Sequence, residues 1–146
     1  MALSKDQILG SQDRATRTEQ VPEWCPLKPE GVDVCPDKSH DHAVILRTLA
    51  AIERNSYDKE NLKKVGDDFE YDPSNIHARL VSKVLVDEGG NRIFNDVEAK
   101  NLGAKSAGVL ARLFEIAQDM NGLGQKAAED AKGNSDAAPS GDSSSD

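Results

Sequence analysis

The clearest pattern along the chain lies over residues 105–121. Ser106, Val109, Leu110, Leu113, Phe114, Ala117 and Met120 recur at spacings of three and four, which predicts a helix with one apolar stripe. Lys105, Arg112, Glu115, Gln118 and Asp119 fall largely off that stripe, and Asn121-Gly122 supplies the stop. Upstream, Asn95 followed three residues later by Glu98 reads as a capping box, predicting a short helix over 96–102 ended by Gly103. Val84-Leu85-Val86 and Arg92-Ile93-Phe94 flank a Gly-rich polar turn, the pattern of a small β-hairpin near 84–94. Residues 74–82 fit a helix better than a strand, because Asp72-Pro73-Ser74 resembles a helix start. Residues 49–64 predict a mixed helix with a weaker stripe, and Ser4 to Leu9 one or two helical turns.

The N-terminal third is less regular. Residues 16–22 alternate Thr, Gln and Pro with charged and apolar neighbours, as a polar edge strand closed by Pro22 would. Ala43-Val44-Ile45-Leu46-Arg47 is a short apolar run able to pair with it. Between them, residues 25–42 carry three of the six prolines and no helical period, so they read as a long loop. The expected fold is therefore a single small, mostly helical α+β domain over 1–123. It has a short N-terminal hairpin, a second one near 84–94 and an amphipathic C-terminal helix.

Composition changes this picture at one end. Residues 124–146 hold 5 Ala, 5 Ser, 4 Asp and 3 Gly, with no Val, Ile, Leu, Met or aromatic residue. Such a segment cannot repay the entropy of ordering it, and the expectation is a disordered acidic tail. The whole chain has 146 residues, 37% of them hydrophobic, and a net charge of −8. A surface this acidic repels phosphate backbones, so nucleic acid is not an expected partner. No apolar run approaches the roughly 20 residues of a membrane span, and the opening residues lack the apolar core of a secretory signal. The expected setting is a reducing cytoplasm, in which Cys25 and Cys35 are free thiols.

The sharpest candidate chemistry is Cys25, Cys35, His40 and His42, four nitrogen and sulfur donors within 18 residues. Their spacing, C-x9-C-x4-H-x-H, lacks the close cysteine pair of common structural zinc motifs. On spacing alone they read as two unpaired thiols and two solvated histidines, with no metal or other cofactor expected. A metal-binding adaptor built on this loop is the alternative. Asp67, Asp68, Glu70 and Asp72 do not follow a calcium-binding loop and read as a solvated acidic turn. No nucleophile, base and orienting group are arranged for catalysis, so the chain is not expected to be an enzyme. A partner-binding role could use the stripe of the C-terminal helix, through Leu110, Leu113, Phe114, Ala117 and Met120, although a buried core face is the commoner use of such a stripe.

Three stretches carry a family resemblance: 85–94 (Leu-Val-Asp-Glu-Gly-Gly-Asn-Arg-Ile-Phe), 102–107 (Leu-Gly-Ala-Lys-Ser-Ala) and 113–122 (Leu-Phe-Glu-Ile-Ala-Gln-Asp-Met-Asn-Gly). With Leu3 to Leu9, Val21-Pro22-Glu23-Trp24 and Arg47 to Arg54, they resemble the tail assembly chaperones of long-tailed, siphovirus-type bacteriophages. The resemblance implies strands near 16–22 and 43–48 and a helix from about Ala50. It also implies a non-enzymatic protein that binds the tape measure protein and the tail tube subunits in the host cytoplasm and is missing from the finished virion. Self-association is compatible with it. A small structural subunit of the virion tail is the competing expectation. The loop 25–42, which holds both cysteines and two of the three histidines, departs from the family, and the family offers no catalytic residue to carry over.

Overall fold

In a computed structural model, which describes residues 1–123, residues 80–86 form an unbroken buried run through the centre of the domain. The expected disordered tail, 124–146, lies outside the described residues. In chain order the elements are α1 (Lys5–Leu9), β1 (Thr16–Gln20), a 3-10 turn (Pro22–Trp24), β2 (Ala43–Arg47), α2 (Ala51–Glu60), β3 (Leu62–Val65) and β4 (Asp68–Tyr71). There follow α3 (Ile76–Val84), β5 (Leu85–Val86), α4 (Ala99–Leu102) and α5 (Ala107–Met120). The architecture is α+β, and no helix among the described residues is long and apolar enough to cross a membrane.

α3 passes into β5 without a loop. Leu46 of β2 pairs with Leu85, and β1 lies antiparallel on the other side of β2, from Thr16↔Arg47 to Gln20↔Ala43. The sheet order is thus β1-β2-β5, with polar β1 at the edge where its sequence places it. Helices α3 and α5 pack together, and Ala78, Leu80, Val81 and Val84 join Val109, Leu110, Leu113 and Ala117 in one core with Val21, Leu46, Tyr57, Leu85 and Leu102. A core of this kind is sensitive to truncation; a fully buried leucine cut to alanine costs about 2–5 kcal/mol.

Several expected elements form with adjusted ends. The Asn95/Glu98 capping box is present in both directions, each backbone N–H donating to the other side chain at 2.9 Å. Residues 96–98 turn first, however, and regular helix begins only at Ala99. The hairpin near 84–94 keeps its turn, where Asp87 Oδ1 accepts from the N–H groups of Gly89 and Asn91 at 2.9 Å. Val84 itself belongs to α3, and the returning limb holds one bridge, Val86↔Arg92. Beyond it Arg92 is drawn inward to Ser82 O and Asp96.

The expected helix over 49–64 is corrected. It ends at Glu60, and residues 62–71 form a second, separate hairpin, β3–β4, instead of a plain acidic turn. The two-residue loop Gly66-Asp67 explains the reversal. Gly66 has φ +63°, and glycine at the first central position is the requirement of a type II′ turn.

Two polar arrangements tie the helices together. Lys83, with only 1% of its side chain exposed, donates from Nζ to Glu60 Oε1 at 2.8 Å and Asp96 Oδ1 at 3.0 Å, joining α2, α3 and the approach to α4. Asn75 sits at φ +52°, and its Nδ2 donates to Ala99 O at 3.1 Å. Gly103 packs so closely on Asn75 that a Cβ there would overlap the Asn75 side chain. Gly103→Ala should therefore displace Asn75 and cost about 1–3 kcal/mol, read as a drop of several degrees in Tm. For Asp96, burial pushes the carboxyl up, but hydrogen bonds from Arg92 and Lys83 outweigh it and hold the pKa below the ordinary carboxylate range. That contribution to stability is present above the ordinary range and is lost as pH falls through the lowered value. Asp96→Asn should lower Tm at neutral pH and flatten the loss of Tm between about pH 5 and 3 in an acid titration followed by circular dichroism.

Candidate functional site

The loop 25–42 has no core of its own. Leu27, Val32 and Val34 point outward, and its two buried residues are Cys25 and Cys35. The loop is held by backbone bonds to Val21 and Pro22. Val21 N–H donates to His42 O at 2.8 Å, extending the β1–β2 ladder one step past Gln20↔Ala43. Pro22 O accepts from both cysteine amides, Cys25 N at 3.3 Å and Cys35 N at 3.1 Å. One carbonyl thus sets both thiols side by side. The segment is clamped to α5 by Arg112, whose two Nη atoms hold Glu23 at 2.8 and 3.1 Å, so the Arg112 hydrogen bond keeps the Glu23 carboxyl below its ordinary range.

The expectation of two solvated histidines is corrected. Ligand atoms of Cys25, Cys35, His40 and His42 all lie within 4.8 Å of one another. His40 Nδ1 is 3.6 Å from Cys25 Sγ and 3.3 Å from Cys35 Sγ. On its other side His40 Nε2 contacts Asp37 Oδ2 at 3.2 Å. Asp37 is oriented in turn by Ser39, whose hydroxyl and N–H donate to Oδ1 at 2.6 and 2.9 Å and keep the carboxyl below its ordinary pKa. His42 Nε2 is buried and has no hydrogen-bond partner in the structure. Burial pushes the Cys35 thiol above its ordinary pKa, and the adjacent Cys25 adds to that rise.

The stripe on α5 divides between core and rim. Leu110, Leu113 and Ala117 are buried within the domain, leaving a partner no access to them. Phe114 and Met120 are half-buried at the rim, with Phe114 stacked at 4.3 Å on the ring of His77. A contact face on this helix is therefore limited to its edge.

A larger apolar surface lies on a hairpin to which sequence reasoning assigned no role. In the β3–β4 register, Leu62 faces Tyr71 and Lys64 faces Phe69, so these four share one side. Leu62, Phe69 and Tyr71 are 50%, 66% and 61% exposed. Two-stranded hairpins are marginal alone, and this one is fixed at its base. Arg79 of α3 donates to Asn61 Oδ1, Asp72 O and Ser74 O at 2.7, 2.8 and 3.0 Å, and Asp72 N–H donates to Asn61 O at 2.6 Å. The Gly-Asp turn between two short β-rich runs was the signal that could have found it.

No protein-family model matches the chain, and no curated protein matches it. Among solved structures, the chain is similar to the structure of the bacteriophage HK97 tail assembly chaperone. The two share 21% identity, covering 73% of this chain and 85% of that one, with a TM-score of 0.47.

Replacing Arg79 by Met removes its three hydrogen bonds at the base of the hairpin, leaving the Asp72–Asn61 backbone bond, and should open it locally. Hydrogen bonds to a charged group contribute about 1.5–3 kcal/mol, so tryptic cleavage after Lys63 or Lys64 should accelerate by roughly tenfold or more while the helical circular dichroism is retained. Unchanged cleavage would show that Arg79 does not hold the hairpin.

Proposed function

We propose that the chain is a non-enzymatic tail assembly chaperone of a long-tailed bacteriophage. In this reading it binds the tape measure protein, helps recruit tail tube subunits in the host cytoplasm, and leaves before the particle is complete. The reading is supported by the resemblance of the segments at 3–9, 21–24, 47–54, 85–94, 102–107 and 113–122 to that family. The observation that carries it physically is the uncovered apolar side of β3–β4, formed by Leu62, Phe69 and Tyr71 in a chain of net charge −8.

A tape measure protein is long and largely helical, so it exposes apolar stripes until tube subunits surround it. A chaperone for such a chain needs apolar surface to cover those stripes and charge to keep the complex dissolved. Burying each large apolar side chain of the hairpin contributes about 1.5–3 kcal/mol before the costs of association. Phe114 and Met120, at the rim of α5, are the part of the helix stripe still able to contribute, and the flexible Met120 side chain suits an irregular partner surface.

Co-expression tests this reading. The tape measure protein should stay in the soluble fraction with the wild-type chain and precipitate without it. Phe69→Ser/Tyr71→Ser should lose most of that rescue while keeping the fold, because both side chains lie outside the core. Equal precipitation with and without the wild-type chain would overturn the proposal. So would finding the chain as a stoichiometric component of purified particles by mass spectrometry.

A further inference from the structure

We propose that Cys25, Cys35, His40 and His42 bind one zinc ion in a closed structural centre that ties the two ends of the loop 25–42 together. The donor set is two thiolates and two imidazoles, the combination that selects zinc in tetrahedral geometry. With Zn–S near 2.3 Å and Zn–N near 2.0–2.1 Å, a tetrahedron has S···N edges of about 3.5 Å. The two Sγ···His40 Nδ1 separations, 3.6 and 3.3 Å, straddle that value. The other donor separations are at most 4.8 Å, so the remaining side chains would have to draw inward to complete the tetrahedron.

Three further observations agree. The Asp37 carboxylate lies 3.2 Å from the far nitrogen of His40, in the place of the outer carboxylate that orients a metal-bound imidazole, while Nδ1 faces both sulfurs. The buried Nε2 of half-buried His42 is satisfied by no protein group, a state that coordination would help to explain. The loop also turns Leu27, Val32 and Val34 to the outside, so its ordering draws on little apolar burial. Small segments without a core are commonly held by a metal instead. Four protein donors fill the coordination shell, which makes the centre structural, with no open position for a substrate. On binding, both thiols release their protons to solvent.

Separation along the chain conceals this cluster. Nine residues separate Cys25 from Cys35, yet their amides share the carbonyl of Pro22. Metal content is read on the chain alone, so this proposal stands or falls independently of the tape measure protein.

The test uses the full chain, reduced, incubated with excess Zn2+ and desalted. One zinc should remain per chain by elemental analysis, and Co2+ in its place should give the visible d–d bands of a tetrahedral thiolate site. Cys25→Ser/Cys35→Ser should retain no zinc, and Leu27→Ser should retain it fully. Asp37→Asn should still fill at saturating Zn2+ but bind about 10–100-fold more weakly. Zinc that washes off the wild-type chain on desalting would overturn the proposal without any variant having to fold. Full retention by the double cysteine variant would overturn it as well.

Discussion

The passage of α3 directly into β5 is the constraint on which the rest of the domain depends. Residues 80–86 are buried on the helical side and again on the strand side, so the same backbone must satisfy a helix ladder and then a sheet ladder. That places α5 against one end and β2 against the other. It also carries Ser82 and Lys83 into the interior, because a buried run of this length spans every face of a helix. Ser82 answers with a hydrogen bond back to Arg79 O at 2.8 Å, and Lys83 with two carboxylates. Removing those anions would leave an uncompensated buried charge, which is far worse than never having had the pair. The ion network therefore fixes where α2 and the 92–96 segment lie.

A core this small leaves two pieces of chain outside it. The β3–β4 hairpin is held at its base by Arg79 and keeps an aromatic face in solvent. The loop 25–42 is held by Val21 and Pro22 and keeps its sulfur and nitrogen donors together. Neither adds much to the apolar core, and in each case hydrogen bonds position the side chains. This division suits an interaction protein: the interior sets the frame, and the surfaces are supplied by segments whose sequence is free of core packing.

Much of the frame was legible from residue pattern. The α5 stripe, the Asn95/Glu98 box, the Asp87–Asn91 turn and the pairing of 16–20 with 43–47 all follow from local chemistry repeated at the right spacing. The β3–β4 hairpin was obscured because Lys63, Lys64, Asp68 and Glu70 dilute its apolar alternation, and Leu62 follows directly on the mixed helix that carries Leu49, Ile52 and Tyr57. Lys83 could not be read as buried, since its burial depends on carboxylates 23 and 13 residues away. The division of the α5 stripe into core and rim was equally hidden, because it is set by where α3 lies. The Cys/His cluster depends on a shared backbone acceptor, which no motif spacing records.

In the proposed function the hairpin is an apolar surface held ready outside a self-sufficient core. Hydrogen exchange on the full chain, alone and then bound to the proposed tape measure partner, distinguishes the two regions. Alone, amides of residues 80–86 should be protected to the level of global unfolding, while those of 62–71 should exchange through local opening. On binding, protection should rise at 62–71 with little change at 80–86. A hairpin already as protected as the core in the free chain, or one whose exchange is unmoved by a bound partner, would contradict the account.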